Sequence, residues 1–382
     1  MSRLKLPSIN WPQLTGYNPY LSGDDYLGLI KKAHLNNRNT SSFAYATRTD
    51  FGLTLTDIAK WNGGVLGPDG KIYCVPHDSL DILIIDPLNG TATRTDFGLT
   101  LSDADKWYGG VLGPDGKIYC VPFYSTDILI IDAINGTATR SNMGADLTGP
   151  YKWIGGVLGP NGKIYCVPNG ATDILIIDPI AGTATRSNMG ADLTGTGKWY
   201  GGVLGSDGKI YCVPSSTTDI LIIDPLNGTA SLSDMGADLT GSTKWYGGVL
   251  GPDGKIYCVP HSSTDILIID PIAGTATRTD FGLTLTGGSN WNGGVLGPDG
   301  KIYCVSNHST DILIIDPIAG TATRTDFGLT LTGTYKWAGG VLGHDGKIYC
   351  APYNATDVLI IDFPMCVKPT IAQLYAPQQN KF

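Results

Sequence analysis

Along residues 61–106 the apolar positions fall into four short runs separated by polar turns, and no stretch of a dozen residues keeps a helical spacing. Gly63-Gly64-Val65-Leu66 leads into Gly67-Pro68-Asp69-Gly70, with Pro and Asp at the centre of a tight reversal and Gly closing it. Lys71-Ile72-Tyr73-Cys74-Val75-Pro76 is rich in β-branched and aromatic residues, and Asp81-Ile82-Leu83-Ile84-Ile85-Asp86 follows after four polar or variable positions. Pro87-Leu88-Asn89-Gly90 is a second turn, and Thr91 to Phe97 forms the fourth run. Short runs with a turn every 8 to 12 residues predict strands. Ile82 to Ile85 does not alternate polar with apolar, which predicts a strand buried on both faces.

The same unit recurs from Trp107, Trp153, Trp199, Trp245, Trp291 and Trp337, always 46 residues after the last. That period suits helical pairs or four-stranded propeller blades, and the strand pattern selects the blades. The chain contains no Glu, a strong helix former. The Gly-Gly strand is expected innermost, where strands converging on an axis leave little room. The Trp before it is expected to wedge between blades. The seventh unit departs from the pattern at Phe363, before its fourth strand, whereas Ala46 to Thr56 matches a fourth strand with no unit in front of it. The expected fold is therefore all-β: a seven-bladed β-propeller of four antiparallel strands per blade, the last blade closed by an N-terminal strand. Closure removes the open edges of a linear array. Residues 1–43 are expected to form an N-terminal arm with a short helix begun by Ser22. Residues 44–362 form the propeller and 363–382 a C-terminal tail.

Gly-Val-Leu-Gly-Pro-Asp-Gly-Lys-Ile-Tyr-Cys-Val-Pro, followed by Asp-Ile-Leu-Ile-Ile-Asp-Pro and Gly-Thr, resembles the blade pattern of NHL-type and YVTN-type propeller repeats, and the Gly-Gly pair is similar to kelch repeats. The resemblance implies a scaffold and carries no catalytic or binding residue across.

Composition narrows the partners. The net charge is −8 and the 26 basic residues are spread evenly, which argues against nucleic acid. There is no apolar run long enough for a membrane span. Cys74, Cys120, Cys166, Cys212, Cys258, Cys304 and Cys350 share one position in the second strand, too far apart in adjacent blades for disulfides. Buried free thiols favour a reducing intracellular compartment; Asn-X-Thr/Ser sequons such as Asn89 and Asn354 leave an extracellular one open.

The two ends of the blades differ in variability. The Gly-Pro-Asp-Gly and Asp-Pro-Leu-Asn-Gly turns of one face barely change. On the other face the loop between second and third strands opens with His77, Phe123, Asn169, Ser215, His261, Asn307 or Tyr353, and the residue after each Trp is Asn62, Tyr108, Ile154, Tyr200, Tyr246, Asn292 or Ala338. Loops on a rigid scaffold are where binding sits. The candidate contact residues are Tyr108, Phe123, Tyr124, Tyr200, Tyr246, His77, His261, His308, Tyr353, Asn62 and Asn292, aromatic anchors foremost. Lys71 opposite Asp86 is expected to form a cross-strand ion pair in every blade, and Asp81 to cap its loop.

No His-x-x-His pair, nucleophile elbow or phosphate loop occurs, and no metal or cofactor is expected. Because the seven mouths read as interchangeable, the expectation is a protein without enzymatic activity. The leading reading is a scaffold presenting loops and terminal arms to a protein partner or larger assembly. The alternative is a carbohydrate-binding propeller with repeated sites between blades.

Overall fold

A computed structural model of the chain describes residues 44–363, which are strands and turns without helix. The expected arm and its helix, and the tail beyond Phe363, lie outside the described residues. The strands make seven four-stranded antiparallel sheets. Blade one comprises Trp61–Leu66, Ile72–Pro76, Ile82–Asp86 and Thr91–Thr95, in that order from the axis outward, and blades two to six repeat it from their own Trp. Blade seven comprises Trp337–Leu342, Ile348–Pro352 and Val358–Asp362, and takes Tyr45–Thr49 as its outer strand. The register runs from Tyr45 opposite Asp362 to Thr49 opposite Val358. Arg48 adds a bidentate contact to Asp357, at 2.9 and 2.7 Å. The ring is thus sewn shut by backbone hydrogen bonds and an ion pair.

The Gly-Gly pair sets how closely the blades approach. The first glycine takes a left-handed conformation (Gly63, φ 76°), and the register shifts between Trp61 and Gly64. The second lies against the neighbouring blade: a Cβ on Gly340 would stand 2.9 Å from Val295 Cγ2. The core is correspondingly a set of seven clusters, each shared between two blades, with an eighth made of Phe123, Ile154, Tyr200 and Ala338. In one of them Val111, Tyr119 and Val121 of blade two pack with Trp153, Ile164 and Cys166 of blade three. Each of the seven tryptophans of the blades is buried, and its indole N–H donates to the carbonyl 20 residues on at 2.8–3.0 Å. The carbonyl belongs to the Asp that opens the third strand. In blade one that Asp81 takes the Ser79 hydroxyl at 3.0 Å, and also the Arg94 guanidinium, which lies 5.4 Å over the Trp61 ring. The sequence leads one to expect Asp81 to cap the loop through backbone N–H groups; its carboxylate instead takes a loop hydroxyl and the Arg of the fourth strand. The Lys71–Asp86 type of pair closes in four blades, at 2.9–3.6 Å between Lys163 and Asp178, Lys255 and Asp270, Lys301 and Asp316, and Lys347 and Asp362. These exposed pairs contribute little. The seven cysteines of the second strands are free and buried, and burial pushes the Cys74 thiol up to about 12.

A continuous circuit of backbone hydrogen bonds rings the face that bears the loops between second and third strands. The first residue of each loop donates to the carbonyl of the residue before its own Trp, and accepts from the residue before the next blade's Trp. The His77 amide donates to Lys60 O, and Lys106 N–H donates to His77 O; the alternation passes through every blade and returns when Lys60 N–H donates to Tyr353 O. All fourteen bonds lie between 2.8 and 3.2 Å. Lys60, Lys106, Lys152, Lys198, Lys244 and Lys336 are buried at these junctions, with Asn290 in the corresponding place of blade six.

Two tests follow from this packing. Gly340→Ala should destabilise the ring by about 1–3 kcal/mol through overpacking against Val295 and Val305, read from the denaturation midpoint. Removal of residues 1–49 should bare the edge of Val358–Asp362 and give concentration-dependent self-association in sedimentation, whereas an unchanged monomer would refute the closing role of Tyr45–Thr49.

Candidate functional site: an axial cavity on the variable face

The residue after each Trp is the second of the innermost strand, and the register shift there turns these seven positions toward the axis. The first residues of the loops stand just behind them, held by the backbone circuit. Together they line one cavity of about 440 Å³. Asn62, Tyr108, Ile154, Tyr200, Tyr246, Asn292 and Ala338 come from the seven innermost strands, and Phe123, Asn169, Ser215, His261, Asn307 and Tyr353 from the loops. Tyr335, Thr243 and Ser289, which precede the junction residues with φ of 50–60°, join the rim together with Gly197 and Ser216.

Of the candidates drawn from the sequence, Asn62, Tyr108, Phe123, Tyr200, Tyr246, His261, Asn292 and Tyr353 meet at this cavity. Three stand outside its lining. His77 is buried behind the wall, with its ring 5.4 Å from Tyr108 and 5.5 Å from Tyr353. Tyr124 packs edge-on against Tyr151 at 4.6 Å. His308 stands edge-on to Tyr335 at 4.1 Å, its Nε2 buried without a hydrogen-bond partner. Ile154, Asn169, Ser215, Asn307 and Ala338 occupy the same two variable positions as the candidates; their position carried the signal, while their chemistry drew no notice. Nothing in the sequence marked Tyr335 or Thr243.

The cavity is uneven. Blades two, four and five supply an aromatic wall: Tyr200 and Tyr246 stack with centroids 3.6 Å apart, and His261 continues the stack at 3.7 Å. Tyr108 stands perpendicular to Tyr200 and shares a hydroxyl–hydroxyl hydrogen bond with it. Blades six, seven and one oppose this wall with the amides Asn292, Asn307 and Asn62 and the small Ala338, and blade seven adds Tyr335 and Tyr353. The Oδ1 atoms of Asn62, Asn292 and Asn307 are buried without a hydrogen-bond partner, while the amide N–H groups of Asn62 and Asn292 face the Tyr108 hydroxyl. Leaving such groups unmatched is costly. No Asp, Glu, Lys or Arg lines the cavity. Burial also lowers the His261 pKa to about 4, so its ring is neutral at neutral pH.

Among the described residues, one group of potential metal ligands comes together: His77, Asp78 and Asp105. Asp78 Oδ1 lies 3.1 Å from Nδ1 and Asp105 Oδ1 lies 3.3 Å from Nε2, so each carboxylate faces a different ring nitrogen.

No family model matches the chain, and no curated protein matches it in sequence. Solved structures match its fold. A streptogramin B lyase structure aligns at 17% identity over 85% of this chain and 99% of that one, with a TM-score of 0.68. A catalytically inactive virginiamycin B lyase from Staphylococcus aureus with quinupristin aligns at 17% identity over 84% and 99%, at 0.66. YCF48 bound to D1 peptide aligns at 10% identity over 87% and 98%, at 0.60. At these identities the likeness shows the propeller ring. It also corrects the expectation that the chain is not an enzyme, because structures of this same architecture include lyases. The blades are not interchangeable at their mouths: thirteen side chains of seven kinds pool into one cavity, so the environments there differ from blade to blade.

His261 supplies a pH test. Its folded pKa is depressed below the ordinary histidine value near 6.5, so the unfolded chain takes up the proton first as pH falls. The stability tied to the neutral ring is present above about 6.5 and is lost toward pH 4. Thermal melts from pH 7 to 5 should show a falling midpoint, and His261→Gln should flatten the decline.

Proposed function

We propose that the ring is a binding module whose receptor is the axial cavity, and that its ligand is an uncharged, aromatic-bearing segment of a partner protein. The observation that carries this reading is the gathering of the blade-to-blade differences at one cavity that has an aromatic wall, unmatched buried amides and no charged lining. A peptide offers what that surface lacks. Its N–H and C=O groups can meet Asn62, Asn292 and Asn307, and a planar side chain can lie against Tyr200, Tyr246 and His261. YCF48, which shares the ring architecture, has been solved with a peptide. Pooling into a single cavity favours one occupant over the repeated glycan sites of the alternative reading. The finer resemblance to NHL-type, YVTN-type and kelch repeats agrees with a ring used for binding.

The test is selection from a random peptide display library. The wild-type ring should enrich uncharged peptides containing Trp, Tyr or Phe, and Tyr246→Ala should weaken the best of them at least about tenfold, the loss of one hot-spot anchor. Enrichment of charged peptides, or equal binding by the variant, would sink the reading. Binding on a glycan array with none to peptides would move the assignment to carbohydrate.

A further inference from the structure

The rim of the axial cavity is uneven in height. Two positions per blade build it: the residue two before the Trp, and the second residue of the loop between second and third strands. The loop amide donates to the carbonyl of the other residue in every blade, from Asp78 N–H to Ala59 O round to Asn354 N–H to Tyr335 O, at 2.7–3.1 Å. The residue two before the Trp always has a left-handed backbone, with φ of 50–64°. Glycine adopts that conformation freely and other residues at a cost, yet only blade four has glycine there, Gly197. Blades three and seven hold Tyr151 and Tyr335 in it.

Both tyrosines are about half exposed, and each packs edge-on against the loop residue of the blade before it. Tyr151 meets Tyr124 with centroids 4.6 Å apart, and Tyr335 meets His308 at 4.1 Å. Two aromatic posts therefore stand on the rim, where blade two joins three and where six joins seven. Between them, across blades four to six, the same positions hold only Gly197, Ser216, Thr243, Ser262 and Ser289. All of these except Ser262 line the cavity, so the cavity reaches out onto this low lip. On the opposite arc Ala59, Asp78, Asp105 and Asn354 stay outside the lining. Their side-chain oxygens tie one blade to the next: Asn354 Oδ1 accepts from Ala59 N–H at 2.8 Å, and Asp78 Oδ1 from Asp105 N–H at 2.6 Å.

We propose that the partner segment seated in the cavity leaves it as an extended chain over the lip of blades four to six, between the two aromatic posts. This rests on the peptide reading given above and adds the path of that peptide. A cavity of about 440 Å³ lies near the small end of ligand sites, so a protein partner has to cross the rim to enter it. Gly197 lets a second backbone come close. The hydroxyls of Ser216, Thr243 and Ser289 can both donate and accept, which suits the N–H and C=O groups of a main chain. Ser216 Oγ already accepts from Thr243 N–H at 3.1 Å and keeps its own proton to donate. Tyr151 and Tyr335 offer ring faces to side chains that flank the path. The carboxylates of Asp78 and Asp105 make the other arc a poor route for an uncharged segment.

The experiment uses the full chain and two probes. Acetyltryptophanamide reaches the cavity alone; acetylated, amidated nonapeptides with a central Trp and uncharged residues elsewhere also reach the lip. The wild type should bind the best nonapeptides at least about tenfold more tightly than acetyltryptophanamide. Gly197→Tyr raises the lip with the residue that blades three and seven already carry at this position, and a Cβ there would lie 3.7 Å from Ser216 Oγ, an ordinary contact. It should bring the two affinities together. Ala59→Tyr, the same change on the opposite arc, should leave the difference in place. Should Gly197→Tyr fail to fold, Ser289→Tyr makes the same test. Equal affinity of the wild type for the two probes, or a difference that survives in the lip variant, would overturn the path and leave the cavity reading standing. Binding of neither probe would overturn both.

Discussion

The backbone circuit around the variable face is the constraint on which the rest of the molecule turns. Each junction is held by an amide of one blade and a carbonyl of the next, so the blades are locked to one another without calling on a particular side chain. The only residue such a position refuses is proline, which has no N–H to give. His, Phe, Asn, Ser and Tyr all occupy the loop position with the same bonds at nearly the same lengths. Rigidity and variability therefore coexist at one place. The mouth can change its chemistry from blade to blade while its geometry stays fixed, a useful property for a surface that must recognise something.

Beneath that circuit the framework repeats with few exceptions. Trp, the Asp at the third strand and the Arg of the fourth form one tied group per blade, and where blade four has Leu232 in place of the Arg the indole still reaches its carbonyl. Exceptions are informative because the background is so regular. Asn290 among six lysines and Ala338 among larger cavity residues stand out as they would not in an irregular fold.

Much of the architecture was legible in the sequence. The 46-residue period, the turn chemistry and the missing fourth strand of the seventh unit gave the blades, their number and their closure, and Tyr45–Thr49 pairs where that reasoning put it. The candidate site was legible as positions and illegible as a place. Asn62 and its equivalents stand out in the sequence only as variable positions on one face, because the strand pattern alone does not reveal the left-handed Gly63 and the register shift that turn residue 62 to the axis. The junction lysines were missed for a different reason. A lysine before an aromatic residue looks like surface, and only three converging carbonyls, two of them from the preceding blade, make it interior. The judgement about catalysis erred for a related cause: similarity of the blades was taken for similarity of their surroundings, although the axis is where all seven meet.

The pairing of Tyr45 with Asp362 spans 317 positions, nearly the whole described chain. During synthesis the outermost strand of the final blade leaves the ribosome first and its partner last. Until then Tyr45–Thr49 has no native neighbour, and six finished blades present an unclosed arc with an apolar flank at each end. The ring belongs among topologies whose decisive contact is the most distant one, which fold slowly and spend longest exposed to misassociation. Any premature stop before the seventh Trp would yield a stack of well-formed sheets that can close only on another copy of itself.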